Sequence, residues 1–340
     1  MKAYNLHAVN DIRYENKEKP SLKEGWALVK VKAAGICSSD IPRIFEKGTY
    51  HFPTIPGHEF SGIVEEVYDK TDSEWTGKRV GIFPLIPCKK CTNCLRGKYE
   101  LCDNYDYIGS RRDGGFAEYV VVPIWNLIKL DDDISYIEAA TIEPFAVAYH
   151  AIKQAEIKEG DDVAVIGSGM IGFAAAQWAK LNGARNVLVI GRNNEKQEIA
   201  KKLNGIGYVC NNEKIEMVFN KVIDAVGTSE TVELSIRLAD SEGRIILIGN
   251  PQNDIFLRQK IYWRVLRKQL TLVGTWNSSY ESGTKSDWTE VLKGIREKKI
   301  IPELLVTDIY DQTELLDALE MMKTHKKSYC KVMTVWNNPN

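Results

Sequence analysis

Four cysteines fall close together in the chain: Cys88, Cys91, Cys94 and Cys102, spaced C-x2-C-x2-C-x7-C in PCKKCTNCLRGKYELC. Zinc takes four thiolates tetrahedrally at about 2.3 Å, and a loop with three cysteines and a fourth a few residues on can close that shell. Pro87 and Gly97 mark the stretch as a loop. Lys89, Lys90 and Lys98 lie among the sulfurs and offset their charge. With sulfur at every position no site is left for substrate, so the loop reads as a structural zinc site; four free thiols or an iron–sulfur cluster are the alternatives.

A dispersed set points to different chemistry. Cys37 stands in AAGICSSD, His58 and Glu59 in PGHEFSG, and Glu143 in IEPFAVAYH. One cysteine, one histidine and one or two carboxylates can hold a second zinc and leave a position for water or substrate, as a catalytic ion requires. Each residue alone reads more readily as a core cysteine or a hydrogen-bonded structural histidine. The set gains weight beside a third motif.

That motif is GSGMIG, with Gly167, Gly169 and Gly172. The apolar run DVAVI precedes it at 162–166, the helical pattern FAAAQWAKLNG follows, and a second apolar run, NVLVI, occupies 186–190. Strand, G-x-G-x-x-G turn, helix and strand is the context of dinucleotide binding. Gly167 permits the tight turn, Gly169 lets backbone approach a pyrophosphate, and Gly172 lets helix and strand pack closely. Met170 and Ile171 join them as cofactor-binding positions at the helix N-terminus, whose free N–H groups and dipole favour phosphate. NAD-binding sheets place an acidic residue at the end of the second strand to bind the ribose hydroxyls. Here that position is Gly191, followed by Arg192, Asn193 and Asn194. No carboxylate repels a 2′-phosphate, room is expected for one, and Arg192 can bind it, so NADP is favoured over NAD. The alternatives are a solvated arginine in a surface turn and a ribose contact from Glu195.

The elements that must position these residues form two domains, as about 150 residues per domain suggests for a chain of 340. Further strands are expected at 207–210, 221–227, 244–249 and 270–274, mostly separated by helical patterns. Six strands in this order give an α/β fold with a doubly wound parallel sheet over 146–275. Residues 1–145 are rich in short β-like stretches and Gly/Pro turns. Residues 276–340 are mostly helix-like, end in the strand CKVMTVW, and are expected to complete the first domain. Lys plus Arg total 45 against 46 Asp plus Glu, a net charge of −1, which argues against a general nucleic-acid binder. No apolar run approaches the ~20 residues of a membrane span. The first residues, MKAYNLHAVNDIRYENKEKP, lack the apolar region of a signal peptide. A cytoplasmic protein is expected, with its seven cysteines outside disulfides.

Taken in order, AGICSSD, PGHEFSG, the four-cysteine loop, RDGGFAEY, EPFAVAYHA and GSGMIG resemble the zinc-dependent medium-chain alcohol and polyol dehydrogenases over essentially the whole chain. PRIF at 42–45, GSRRDGGFAEY at 109–119 and LRKQLTLVGTW at 266–276 are similar to members acting on sugar-alcohol phosphates. The resemblance implies a mainly β, GroES-like catalytic domain beside the Rossmann domain, and two zinc ions per chain. It places Cys37, His58 and Glu143 at the catalytic zinc, with Glu59 as an inner or outer ligand. It makes Asp40 the orienter of the zinc histidine and Ser39 the hydroxyl of a proton relay. Ser38 departs from the glycine usual in polyol dehydrogenases, and Gly191 from the aspartate of close relatives. The implied reaction is oxidation of a secondary alcohol to a ketone with hydride transfer to a nicotinamide. Galactitol 1-phosphate is the first expected substrate, free sorbitol or galactitol the second, and a small diol the third. A phosphate would be read by Arg43, Arg111 or Arg112, unless Arg112 pairs with Asp113 in a turn and Arg43 is solvated. A homodimer or homotetramer is implied. Two other classes remain: a nucleotide-sensing protein, which would be expected to lose the zinc-site residues, and a zinc-free reductase, which would carry no metal.

Overall fold

The computed structural model describes residues 1–337. The chain divides into two compact units, the first made of Met1–Glu143, Ser279–Arg296 and the residues from Val306 onward, the second of Pro144–Ser278 and Glu297–Leu305.

In the first unit β1 (Lys2–Ala8) and β2 (Asp11–Asn16) form an antiparallel hairpin. Seven strands make the main sheet: β3 (Trp26–Ile36), β4 (Glu59–Val67), β5 (Arg79–Ile82), β8 (Tyr119–Pro123), β9 (Leu127–Lys129), β16 (Val306–Asp311) and β17 (Lys331–Val335). A small antiparallel pair, β6 (Leu85–Ile86) and β7 (Asp106–Tyr107), stands apart. The sheet order is β16-β17-β3-β4-β5-β9, with β8 also on β3. β3 is its centre, antiparallel to β4, β8 and β17. That position explains why WALVKVKAAGI is buried continuously from Val31 to Ile36 instead of alternating. Tyr4, Phe60, Phe116 and Trp336 fill the core of this unit. The last strand among the described residues, β17, pairs Val332 with Ile36 and Met333 with Gly35, so residues that follow the second unit in sequence are built into the first sheet.

The second unit holds one six-stranded sheet of β10 (Asp162–Ile166), β11 (Asn186–Gly191), β12 (Ile206–Cys210), β13 (Phe219–Asp224), β14 (Ala239–Leu247) and β15 (Thr271–Gly274). Every pairing is parallel, and the order is β12-β11-β10-β13-β14-β15. Numbered from β10 this is 3-2-1-4-5-6, the doubly wound order. All six strands read from sequence are present. β14 starts earlier than its apolar run, because Ala239 already pairs with Phe219 across an irregularity at which Glu242 has φ +60°. The expectation of mainly helical structure after 276 misses β16, whose sequence VTDIYD stays partly exposed along its length. Among the described residues no helix is long and apolar enough to cross a membrane.

Candidate active site

β3 ends at Ile36 and β4 begins at Glu59, and their register sets Gly35 opposite Glu59. Cys37 leaves one strand where His58 enters the other, and ligand atoms of Cys37, His58 and Glu59 lie within 4.8 Å of one another. The next residues hold this set. Cys37 N–H donates to Asp40 at 3.0 Å, and Ser39 Oγ donates to Cys37 Sγ at 3.3 Å. Fully buried Asp40 lies 3.6 Å from His58 Nδ1 and accepts from Arg43 at 2.8 Å. Glu143 is not in the compact set. It stands at the start of helix Ile142–Ala155, where Tyr107 donates to it at 3.4 Å, and it remains within electrostatic reach of His58 and Glu59.

Burial works against an imidazolium at His58, but Asp40 and then Cys37 outweigh it and hold its pKa well above the usual value. Burial pushes the Glu143 carboxyl up to about 7, opposed by His58 and reinforced by Glu59. His58 Nδ1 is buried without a hydrogen-bond partner, beside the ligand atoms of Cys37 and Glu59. A divalent cation among these atoms would meet a sulfur, a nitrogen and a carboxylate oxygen, so these residues fit a metal of the Cys/His/carboxylate class.

The four cysteines form a second cluster, every ligand atom within 4.8 Å of the others. Cys88 Sγ lies 4.0 Å from Cys94 Sγ, and Cys91 Sγ 3.9 Å from Cys102 Sγ. Disulfide sulfurs sit about 2.05 Å apart, whereas the edge of a tetrahedron of thiolates at 2.3 Å from zinc is about 3.8 Å. All seven cysteines are free thiols. Backbone N–H groups of Lys90 and Cys91 draw the Cys88 thiol down to about 6, while burial pushes Cys94 up to about 12. Cys210, which ends β12, and Cys330, just before β17, are buried.

In the second unit β10 runs into the glycine turn. Gly167 has φ +109°, in the region glycine favours. A methyl group on Gly172 would overlap the Gly167 carbonyl, with its carbon 2.9 Å away, so the helix packs here only on glycine. A methyl on Gly169 would meet nothing within 4 Å. Gly169 caps helix Met170–Leu181 without a side-chain bond, so its first N–H groups have no capping side chain. That cradle fits a pyrophosphate. At the end of β11 the place a side chain on Gly191 would take is filled by the phenol of Tyr208 from β12, while Arg192 is exposed.

Residues 23–132 match the family described as alcohol dehydrogenase GroES-like domain, and residues 171–297 match zinc-binding dehydrogenase. Galactitol 1-phosphate 5-dehydrogenase of Escherichia coli K12 is 36% identical, covering 88% of this chain and 90% of the relative. The crystal structure of galactitol-1-phosphate dehydrogenase from Escherichia coli superposes with a TM-score of 0.90 at 32% identity, covering 98% of this chain and 100% of the other. An alcohol dehydrogenase from Escherichia coli CFT073, complexed with NADH, superposes at 0.89 with 28% identity and 99% of each chain covered. The chain belongs to the zinc-dependent medium-chain alcohol and polyol dehydrogenases. It is an NAD(P)-dependent enzyme acting on CH–OH donors, with a GroES-like domain and a Rossmann-type domain.

The dehydrogenase gives all three candidate phosphate-binding arginines protein partners, Arg111 donating to the Tyr105 carbonyl at 3.2 Å and the Tyr50 hydroxyl at 3.4 Å. Arg43 is neither solvated nor free, because it holds Asp40. Arg112 pairs with Asp106, not with Asp113, which takes Lys17 at 2.9 Å. Arg111 stacks between Tyr50 and Tyr105, 4.3 and 4.4 Å from the ring centres, and its Nε is buried without a hydrogen-bond partner. Tyr105 in turn meets Tyr107, and Tyr107 meets His58 edge-on at 5.7 Å. Sequence reasoning missed Tyr107 and also Lys331. Lys331 is buried, pairs with Glu59, and donates to the Ile36 carbonyl at 3.1 Å. Burial opposes its charge, yet Glu59 and Cys37 hold its pKa above the usual value. Its only signal was a cation inside the apolar run CKVMTVW; Tyr107 had none.

Proposed function

We propose that this enzyme oxidises a secondary hydroxyl of a sugar-alcohol phosphate, galactitol 1-phosphate first, to the ketose phosphate, with NADP+ as favoured acceptor. The observation that carries the chemistry is the mutual approach of Cys37, His58 and Glu59. Residues 1–145 and 276–340 act as the catalytic domain and 146–275 as the dinucleotide-binding domain. Cys37, His58 and Glu143 hold the catalytic zinc, with Glu59 beside it as an inner or outer ligand; Cys88, Cys91, Cys94 and Cys102 hold a structural one. Gly167, Gly169, Met170, Ile171 and Gly172 bind the dinucleotide, with Gly191 and Arg192 at its ribose. Once bound, zinc would supply Lewis acidity to the substrate hydroxyl and the nicotinamide would accept the hydride.

The protein's own groups orient and move the proton. Asp40 fixes the ring of His58, and Arg43 fixes Asp40. Lys331 gives the buried Glu59 carboxylate a counter-charge. Ser39 Oγ, partly exposed beside Cys37, takes the substrate proton as it passes its own on. Arg111 binds the phosphate of the substrate: its guanidinium stands between Tyr50 and Tyr105, and Tyr105 and Tyr107 link it to His58. A homodimer or homotetramer is supported by β15, which ends the six-stranded sheet, and by exposed Tyr262, Trp263, Leu266 and Leu272 on it and the preceding helix.

Initial rates with galactitol 1-phosphate, galactitol and sorbitol, each with NAD+ and NADP+, test this reading. The phosphate ester with NADP+ should give the highest kcat/KM. Equal or better rates with the free polyols would make the enzyme a polyol dehydrogenase and return Arg111 to a structural role.

A further inference from the structure

β11 and β12 run parallel, with Val189 opposite Tyr208 and Gly191 opposite Cys210. From β12 the half-buried Tyr208 lays its ring against Phe173 of the helix that follows the glycine turn, 6.4 Å between centres and 17° between planes. Its hydroxyl crosses the end of β11. There it donates to the Asn193 carbonyl at 2.6 Å and approaches Ser168 Oγ, inside the glycine motif, at 3.5 Å. A methyl group built on Gly191 would overlap that hydroxyl, with the ring carbon Cζ 2.6 Å away and Ser168 Oγ 2.9 Å away. No side chain can occupy position 191 while Tyr208 stands.

We infer that Tyr208 is the coenzyme-selecting residue of this enzyme, its phenol taking the place of the carboxylate that reads an NAD ribose. The inference rests on the reading of this unit as the NADP-favouring dinucleotide site, and it names the group responsible. An aspartate at position 191 would accept from both ribose hydroxyls and repel a 2′-phosphate. Here the end of β11 presents two uncharged hydroxyls, Tyr208 and Ser168, with the exposed guanidinium of Arg192 in the next position. On binding, Tyr208 would exchange its bond to the Asn193 carbonyl for one to the 2′-phosphate, and the Arg192 guanidinium would bind that phosphate with charge. Glycine at 191 is then a packing requirement of Tyr208, which is why a sequence reader sees only a missing acid. Glu195 is the carboxylate nearest in effect, close enough to act on the phenol electrostatically, and it is exposed.

The test is equilibrium binding of NADPH and NADH to the zinc-loaded enzyme without substrate, followed by nicotinamide fluorescence. The wild type should bind NADPH at least about tenfold more tightly than NADH, the size of one charge-assisted bond. Tyr208→Phe keeps the ring against Phe173 and should weaken NADPH by roughly threefold to tenfold, leaving NADH within about twofold. Gly191→Asp alone should weaken both coenzymes by about tenfold or more, because the new side chain and the phenol compete for one space. Gly191→Asp with Tyr208→Ala should recover NADH and reverse the preference. The inference is overturned if Gly191→Asp alone binds NADH as well as the double variant does, or if Tyr208→Phe changes both coenzymes equally. Binding of neither coenzyme to the wild type would overturn the dinucleotide reading itself, a separate and recognisable result.

Discussion

Lys331→Met removes the ammonium paired with Glu59 and keeps a side chain of similar reach. Glu59 is 2% and Lys331 3% exposed, so water cannot replace the lost charge. Breaking a buried ion pair from one side costs about 3–5 kcal/mol, because the remaining charge stays buried alone. The Ile36 carbonyl also loses the donor it had at 3.1 Å. At about 2–4 °C per kcal/mol for a unit of this size, the thermal midpoint should fall by about 6–20 °C. Circular dichroism melts of the wild type, Lys331→Met, Glu59→Gln and the double variant at pH 7 measure it. The double variant removes both charges and should melt above Lys331→Met, since replacing a whole buried pair is far cheaper than halving it. Chelation of accessible metal should widen the gap between wild type and Lys331→Met, because a bound cation takes over part of the lysine's role. A Lys331→Met midpoint within about 2 °C of wild type would refute the reasoning, as would a double variant no more stable than the single one.

Cys102→Ser should lower the metal content by about one ion per chain and make the 88–102 loop cleavable by protease, read by elemental analysis and limited proteolysis. Gly172→Ala forces a methyl group onto the Gly167 carbonyl; it should cost about 1–3 kcal/mol by urea unfolding and weaken coenzyme binding. Glu233 is held down to about 2, chiefly by Arg258, whose Nε donates to it at 2.8 and 2.9 Å. Between that value and the ordinary 4.5 the unfolded chain binds the extra proton, so this pair's contribution is full above pH 4.5 and fades as pH falls toward about 2. Glu233→Gln should therefore unfold at lower urea than wild type at pH 7, and the difference should narrow at pH 3.

The parts of this molecule legible in its sequence are those whose physics is local. The parallel strands β10, β11 and β13 are largely buried on both faces and so read as apolar runs. Four sulfurs in one short loop have few places to go except together. Cys37 and His58 are a different case. Their meeting depends on the pairing of Gly35 with Glu59, which spacing alone does not give and which resemblance to a family supplied. Lys331 escaped because it comes from a strand 295 residues beyond Ile36, the carbonyl it bonds. Tyr208 escaped because a sequence displays the acid missing at Gly191 but not the neighbouring strand's ring that occupies its place. The three arginines show the limit in the other direction. As residue types they were interchangeable, and only packing against Asp40, Asp106 and the tyrosine pair separates them.

The central claim is a catalytic zinc on Cys37 and His58, distinct from the four-cysteine site. Zinc content per chain, measured beside turnover for the wild type and Cys37→Ser, tests it most directly. The wild type should carry about two zinc ions, and Cys37→Ser should keep about one with its fold intact and turnover lost. A Cys37→Ser enzyme that still turns over substantially, or a fully active wild type with a single zinc in the four-cysteine loop, would contradict it.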